Sequence, residues 1–169
     1  MKSASQGMTL LELMMAITVL GILIALAVPG FRTYTLQSRV TASTNDLVTA
    51  LNLARSEALR RATPAVACAS TNQASCSGTT DWTTGWIVFT DTNGNGSVDA
   101  GELLQVWPAA NAMITTAANQ NRVTYNTLGM AAAAAAFEVA TVACAVERQV
   151  NVTVSLSGSI RSDRTTCVP

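Results

Sequence analysis

The feature that most constrains this chain is an apolar run near its start, from Met8 to Val28, in which Glu12 is the only charged residue. About 20 apolar residues are enough for a helix to cross a bilayer. A carboxylate inside such a run costs about 2.5–3.5 kcal/mol at mid-membrane on insertion scales, so it calls for a partner cation. Cleavage between Gly7 and Met8 would create that cation, the α-amine of Met8, on the same chain or on a neighbouring subunit. The run therefore predicts a membrane helix in which the Met8 amine neutralises Glu12, either within the chain or across a subunit contact.

Two simpler interpretations of the N-terminus compete with this one. The run also fits a plain signal anchor, and Ala25-Leu26-Ala27 fits the A-x-A site of an ordinary secretory signal. Against the secretory signal, the run is longer than the usual h-region of ~7–15 residues, and it contains Glu12. Only Lys2 supplies positive charge ahead of the run.

The composition excludes several classes of function. The 169-residue chain carries ten basic and ten acidic side chains and no histidine. This balance offers no general attraction to nucleic acid or to acidic lipid. Because there is no histidine and the only lysine is Lys2, the usual nucleophile–base pairs cannot be assembled, so we expect no enzyme activity.

The rest of the chain predicts one long helix followed by short strands. Helical periodicity resumes at once after Pro29-Gly30, so the helix should be kinked there and run from about Met8 to Arg61. Its second half carries an apolar face at three- and four-residue steps, made of Leu36, Val40, Leu47, Leu51, Ala54 and Ala58. Strands are expected at Ala65–Ala69, Gly85–Thr90, Leu103–Trp107, Val123–Asn126, Phe137–Val142 and Val146–Leu156. Length alone does not assign the Ala131–Ala136 tract to helix or strand. The pattern predicts an α+β fold, with the helix packed on an antiparallel sheet.

The chain has four cysteines, and an even number in an exported domain indicates disulfides, with three possible pairings. A structural zinc site would need all four thiolates at unusual spacings. We favour Cys68–Cys76, which closes a short loop, and Cys144–Cys167, which fixes the C-terminal tail to an inner strand.

The segment from Asp91 to Glu102 fits the calcium-loop pattern D-x-[DN]-x-[DN]-G-x5-E. Gly96 would make its sharp turn, and both flanks are predicted strands, whereas helices flank an EF-hand loop. A plain hairpin loop rich in turn-forming residues is the alternative. The candidate calcium ligands are Asp91, Asn93, Asn95, the Ser97 carbonyl, Asp99 and a bidentate Glu102.

The segment Gly7-Met8-Thr9-Leu10-Leu11-Glu12 resembles the processing motif of type IV prepilins and type II secretion pseudopilins, with Met8 where the family usually has Phe. In that family a prepilin peptidase cleaves after the Gly and methylates the new N-terminus. The resemblance thus implies cleavage after Gly7, N-methylation of Met8 and a role of Glu12 in assembly. Three further segments resemble the GspH/FimT group: Ala50–Ala58, Gly85–Phe89, and Ser157–Arg161 with the nearby Cys167.

The resemblance implies a minor pilin or pseudopilin that primes or caps a filament. Residues 1–7 would be the leader, 8–29 the transmembrane and filament-core helix, and 30–169 a periplasmic head. The protein would cross the inner membrane once and then enter a pilus or pseudopilus, with prepilin peptidase, other minor pilins and the major pilin as partners. Val28-Pro29-Gly30-Phe31 resembles the FimT/FimU pilus members more than the secretion members. A pseudopilin like protein H of the type II secretion system is the alternative.

DNA binding is a second alternative. FimT-type pilins that bind DNA for natural transformation have Gly-Arg-x-Arg where this chain has Gly158-Ser159-Ile160-Arg161. Ser159 replaces the first Arg, Arg161 matches the second, and Arg164 follows. Binding of duplex DNA depends on basic side chains that neutralise its phosphates. Here Asp163 lies between Arg161 and Arg164, and no basic surroundings support them. Solvated arginines are therefore the favoured interpretation.

Overall fold

The structure, a computed structural model, describes residues 9–144 and 148–166, without the side chains of Pro29, Ala143 and Arg148. The strands form two antiparallel four-stranded sheets beside one long helix, and the predicted α+β class is confirmed. The chain divides into two compact units, Met1–Thr35 and Leu36–Pro169. The elements are α1 (Leu10–Arg61), β1 (Ala65–Ala69), β2 (Gly85–Thr90), β3 (Leu103–Pro108), β4 (Ile114–Ala118), β5 (Arg122–Tyr125), β6 (Ala135–Thr141), a 3₁₀ turn (Val142–Cys144), β7 (Arg148–Val154) and β8 (Ile160–Thr166).

The first unit is the apolar part of α1. Thr9 caps the helix: its hydroxyl accepts the Glu12 N–H at 3.3 Å and its carbonyl accepts the Leu13 N–H at 3.1 Å. A threonine followed three residues later by a glutamate is a common N-terminal helix signal. Every described side chain from Leu10 to Tyr34 is exposed. Among the described residues, α1 is the one helix long and apolar enough to cross a membrane.

The part of α1 in the second unit buries the predicted apolar face. Val40, Leu47, Leu51, Ala54 and Ala58 are at most 2 % exposed, and Leu36 is half-buried.

The end of α1 is marked by a change in backbone conformation. Ala62 adopts a left-handed φ of 51°, and the Thr63 N–H donates to the Ala58 carbonyl at 3.3 Å. This arrangement satisfies a carbonyl of the last turn that the helix itself leaves without a donor. Pro64 follows and prevents the helix from continuing.

Sheet A has the strand order β3-β2-β1-β5 and is covered on both faces. Every residue of β1 and β2 is buried, so these strands show no alternation of buried and exposed positions. On one face, alternate residues such as Ala65, Ala67 and Val88 belong to the core cluster that contains the apolar face of α1. On the other face lies a second cluster made of Val66, Cys68, Ile87 and Phe89, with Cys76, Val98 and Val106 packed against it.

Sheet B has the strand order β4-β6-β7-β8, and its inner face completes the main core. Along β7, Val150, Val152 and Val154 are buried, whereas Thr153 is exposed. Strand β8 forms one edge of the sheet, and from Arg161 onwards all its residues are exposed. The antiparallel pairing of β6 with β7 was expected.

Trp82 joins the two sheets. Its backbone N–H donates to the Thr116 carbonyl at 2.8 Å, and its indole N–H donates to the Gln120 carbonyl at 3.0 Å. Its ring packs edge-on against Phe137, with the ring centroids 4.9 Å apart. An aromatic pair of this geometry adds about 0.5–1.5 kcal/mol beyond the area it buries.

The strand predictions differ from the structure in three places. The strands form two sheets, where one was expected, because sheet A and sheet B each pack an apolar face into the same core. Strands β4 and β8 have no counterpart among the predicted strands. The undecided alanine tract is extended at its end, where Ala135 and Ala136 begin β6.

Candidate functional site

The predicted processing site lies between Gly7 and Met8. Gly7 and Met8 fall outside the described residues, so cleavage between them and methylation of Met8 stay predictions.

Glu12 lies in the first turn of α1 and is exposed. A carboxylate there is stabilised by the positive end of the helix dipole. No cation pairs with Glu12 among the residues that the structure describes, where the ion pairs are those of Glu57 with Arg60 and Arg61. Because Met8 lies outside those residues, the pairing of its amine with Glu12 is also still a prediction.

The first predicted disulfide is confirmed. Cys68 and Cys76 are bonded, with their Cα atoms 5.6 Å apart. The bond fixes the Ser/Asn-rich loop after β1 against the second face of sheet A. Cys144 is disulfide-bonded as well. Its predicted partner Cys167 lies outside the described residues, so that pairing is not settled here.

We call the segment Asp91–Glu102, which joins β2 to β3, the acidic loop. Its ends are fixed: the Asp91 N–H donates to the Pro64 carbonyl at 2.8 Å, and the Thr90 N–H donates to the Glu102 carbonyl at 3.0 Å. In its middle, Val98 packs on the second cluster of sheet A. The Arg122 guanidinium donates to the Gly96 carbonyl at 3.1 Å and ties the loop to β5. The loop is thus held at both ends and at its centre.

The first half of the acidic loop is a series of side chain to backbone hydrogen bonds. Asn93 Oδ1 accepts the Asn95 N–H at 3.0 Å, and Asn95 Oδ1 accepts the Ser97 N–H at 2.7 Å. Asp91 Oδ2 accepts the Gly96 N–H at 3.0 Å. Gly96 has a φ of 71°, a conformation that favours glycine. The first two bonds order the segment from Asn93 to Ser97, and the third ties the Asp91 carboxylate to its middle.

The second half supplies two more carboxylates. Asp99 Oδ2 accepts from the side-chain amides of Asn93 and Asn95, at 2.7 and 2.8 Å. Glu102 accepts from the hydroxyl and the N–H of Thr92, and also from the Asp99 N–H at 3.2 Å. The Thr92 hydroxyl, and then the Thr92 N–H, hold the pKa of Glu102 below its usual value, against the opposing effects of burial and of the Asp99 carboxylate.

The predicted calcium ligands therefore share one loop, but their carboxylates do not converge on one point. Within residues 9–144 and 148–166, no group of three His, Cys, Asp or Glu side chains is placed to hold a metal. The carboxylate oxygen Asp91 Oδ1 is buried and has no hydrogen-bond partner.

The two candidate DNA-binding arginines lie on β8 and are exposed. Arg161 pairs with Thr153 on the outer face of sheet B, and Arg164 pairs with Val150, whose side chain belongs to the core face. Since side chains alternate along a strand, the two arginines point to opposite faces. Asp163 shares the face of Arg161. The structure does not bring the arginines together into one basic surface.

Arg55 has a role that was not predicted from the sequence. Its guanidinium donates to the Gly129 carbonyl at 3.0 Å and to the Ser157 carbonyl at 3.1 Å, so it fixes two turns on α1. Gly158 packs so closely that a Cβ atom there would lie 2.0 Å from the Gly129 carbonyl oxygen. In the sequence Arg55 looks like an ordinary member of the polar face of the helix; only its long-range contacts reveal its role.

Two family models match the chain. Residues 43–158 match the family described as type II transport protein GspH. Residues 2–28 match the prokaryotic N-terminal methylation motif. No curated protein matches the chain in sequence.

Two solved structures have a similar fold. The type IV minor pilin FimU of Pseudomonas aeruginosa is 18 % identical with a TM-score of 0.59, and the match covers 77 % of this chain and 89 % of FimU. The minor pseudopilin EpsH from the type 2 secretion system of Vibrio cholerae is 11 % identical with a TM-score of 0.57, covering 74 % of this chain and 96 % of EpsH. At these identities the likeness concerns the fold. The match to the GspH model over most of the chain is what assigns the family: this protein belongs to the GspH family of minor pilins and pseudopilins and carries the N-terminal methylation motif.

Proposed function

We propose that this protein is a minor pilin that helps to prime or cap a type IV pilus after prepilin peptidase cleaves it between Gly7 and Met8. The observation that carries the proposal is the exposed apolar part of α1, with Glu12 as its only charge from Leu10 to Val28. Such a surface needs lipid around it before assembly and neighbouring apolar helices afterwards. Glu12 then needs a cation, and the Met8 amine of an adjacent subunit is the one that the sequence provides.

The disulfide supports an exported head. Disulfides form and persist in oxidising compartments, and Cys68–Cys76 lies in the second unit of the chain. The apolar helix and the methylation motif indicate membrane anchoring. We therefore place the protein in the inner membrane as a single-pass protein with its head in the periplasm, until other minor pilins and the major pilin draw it into a filament.

The main alternative is a pseudopilin of a type II secretion system. FimU belongs to a pilus and EpsH to a secretion system, and their TM-scores of 0.59 and 0.57 are nearly equal, so the fold supports both. The sequence Val28-Pro29-Gly30-Phe31 favours the pilus. A deletion strain separates the two functions: a pilus subunit is needed for surface pili, whereas a secretion subunit is needed for release of exported proteins.

A role in DNA uptake is less well supported, because Arg161 and Arg164 lie on opposite faces of β8 beside Asp163. The test is a gel shift with duplex DNA at several salt concentrations. If the protein shifts the DNA in a salt-dependent way and Arg161→Ala weakens the shift, DNA uptake becomes the favoured function.

The test of the proposed function is Glu12→Val. The variant should insert into the membrane as well as wild type, because a charge has been removed from the apolar run. Its incorporation into the pilus complex should fall, since an unmatched buried charge, here the stranded Met8 amine, destabilises by roughly 3–5 kcal/mol. Piliation and co-purification with other minor pilins are measured at equal protein levels.

Two further variants serve as controls for this test. Thr18→Val also replaces a polar side chain by valine in the same exposed run, without a change of charge, and should assemble normally. Gly7→Leu should leave the precursor uncut and unmethylated in mass spectra. If Glu12→Val assembles as well as Thr18→Val, the carboxylate is not an assembly contact and the proposal loses its basis.

A further inference from the structure

We propose that the acidic loop binds one calcium ion, and that Asp91 is its first ligand. Asp91 is only 7 % exposed, and its Oδ1 atom is buried without a hydrogen-bond partner. Its other oxygen, Oδ2, accepts the Gly96 N–H at 3.0 Å, which turns the carboxylate towards the centre of the loop. A buried carboxylate oxygen without a donor or a cation is costly. A bound cation would remove that cost.

The chemistry of the donors selects a hard cation. Every candidate ligand is an oxygen atom, from carboxylates, from the amides of Asn93 and Asn95, and from the Ser97 carbonyl. Oxygen donors at positions 1, 3, 5, 7, 9 and 12, with glycine at position 6, form the ligand set of a seven-coordinate calcium loop. Nitrogen or sulfur ligands, which zinc or copper would prefer, are missing from this set.

Two side chains of the loop keep oxygen lone pairs that could bind such an ion. The side-chain oxygens of Asn93 and Asn95 each accept one backbone N–H, and each keeps a second lone pair for a metal. The amide groups of the same two residues meet at Asp99 Oδ2, so positions 3, 5 and 9 already face one another. Calcium would replace these amide–carboxylate hydrogen bonds by oxygen–metal bonds, for which the amide groups must turn.

Glu102 lies at the other end of the loop. Its carboxylate is buried and receives hydrogen bonds from Thr92 and from the Asp99 N–H. The bond from the Thr92 N–H places this carboxylate next to the start of the loop, where Asp91 lies. The strand flanks that distinguish the loop from an EF-hand are no obstacle, because the two ends are joined by the Thr90–Glu102 hydrogen bond.

The affinity should be modest. Three carboxylates contribute negative charge, while Arg122 brings a positive charge to the Gly96 carbonyl. Extracellular calcium modules bind with Kd values of about 0.1–1 mM, and we expect this range. Magnesium should bind much more weakly, since it requires a tight octahedral shell and gives up its water reluctantly.

The experiment uses the full-length chain in detergent and measures Tm and calorimetric calcium binding. At calcium about a hundredfold above the Kd, Tm should rise by roughly 5–10 °C, with one saturable site. The same concentration of magnesium should give little shift. Asp91→Asn keeps the size of the side chain and an acceptor for Gly96; it should lose the calcium gain while staying within about 2 °C of wild type without calcium.

The matched control is Asp163→Asn, which removes the same charge from the exposed strand β8 and should keep the full gain. If Asp91→Asn fails to fold, Glu102→Gln takes its place, with the same expected loss. The proposal is overturned if calcium up to 10 mM leaves the wild-type Tm unchanged, if magnesium acts equally, or if the variant that folds keeps the gain.

Discussion

The two parts of α1 differ in their apolar content and in their surroundings: the first is apolar on all sides, whereas the second has one apolar face. Between Leu10 and Tyr34, large side chains such as Leu20 and Ile22 are exposed by more than half. In the second unit, the buried stripe includes small residues, Ala50, Ala54 and Ala58, all with no exposed surface.

The difference shows what each part of the helix is built to contact. The alanines on the buried face of α1 belong to the same core cluster as the alanines of β1. The first part instead presents long, flexible side chains that suit lipid or other helices. An apolar surface on one face indicates a helix packed within its own chain, whereas an apolar surface on all sides indicates a helix whose partners are elsewhere.

The sharpest test of this comparison is the same substitution in both parts. Leu51 has no exposed surface, so Leu51→Ala should lower the free energy of unfolding by about 2–5 kcal/mol. Leu20 is 54 % exposed, so Leu20→Ala should change it by less than about 0.5 kcal/mol. Urea unfolding of the full chain in detergent, followed by tryptophan fluorescence, measures both. Equal effects would mean that the two parts of α1 do not differ as described.

A second test concerns how tightly the two turns fit together on the packed part of the helix. Gly158→Ala should destabilise by at least about 3 kcal/mol, because its Cβ would lie 2.0 Å from the Gly129 carbonyl oxygen. Gly78 has a similar φ, 76°, but open space around it, so Gly78→Ala should cost only about 1–2 kcal/mol for the backbone conformation. If the two variants have the same melting temperature, Gly158 is required for its backbone conformation alone and not for close packing.

The smallest expected effect is electrostatic and lies at the C-terminal end of α1. Hydrogen bonds from Arg60, and then from Arg61, lower the pKa of Glu57 from 4.5 to about 2. The Glu57 carboxylate therefore stabilises the folded state above pH 4.5, and this contribution is lost as the pH falls towards 2. Because Arg60 is largely exposed, Glu57→Gln should cost less than about 1 kcal/mol at pH 7. The difference between variant and wild type should shrink as the pH falls from 4.5 towards 2; a difference that stays constant over this range would assign the effect to packing.

The sequence was most informative where one local pattern decides the structure. The helix stripe, the strands β1, β2 and β3, and the Cys68–Cys76 bond all follow from short segments, and all are found. The opposite directions of Arg161 and Arg164 also follow from a spacing of three along a strand, once that strand is known.

Features that depend on distant partners could not be predicted in the same way. Strand β4, Ile114–Ala118, is only five residues long, and it is defined by its pairing with β6. The sequence does not distinguish two sheets from one. Alternation with a period of two shows which face of a strand is buried, but it does not show which strand pairs with it. Arg55 lies about a hundred residues before the turn that contains Gly158. Its contact with that turn becomes visible only in the folded structure.

The Cys68–Cys76 bond also has a consequence for the order of events during folding. The two cysteines are separated by eight positions, so a thiol at one end meets the other in a short loop that closes in well under a microsecond. A bond from Cys68 to Cys144 must close a far longer loop, which costs roughly 2 kcal/mol more in chain entropy. Before any strand has paired, random encounter therefore favours the native bond about thirtyfold. Correct oxidation at this site needs no folded template, and the loop after β1 can be closed while the rest of the head is still being formed.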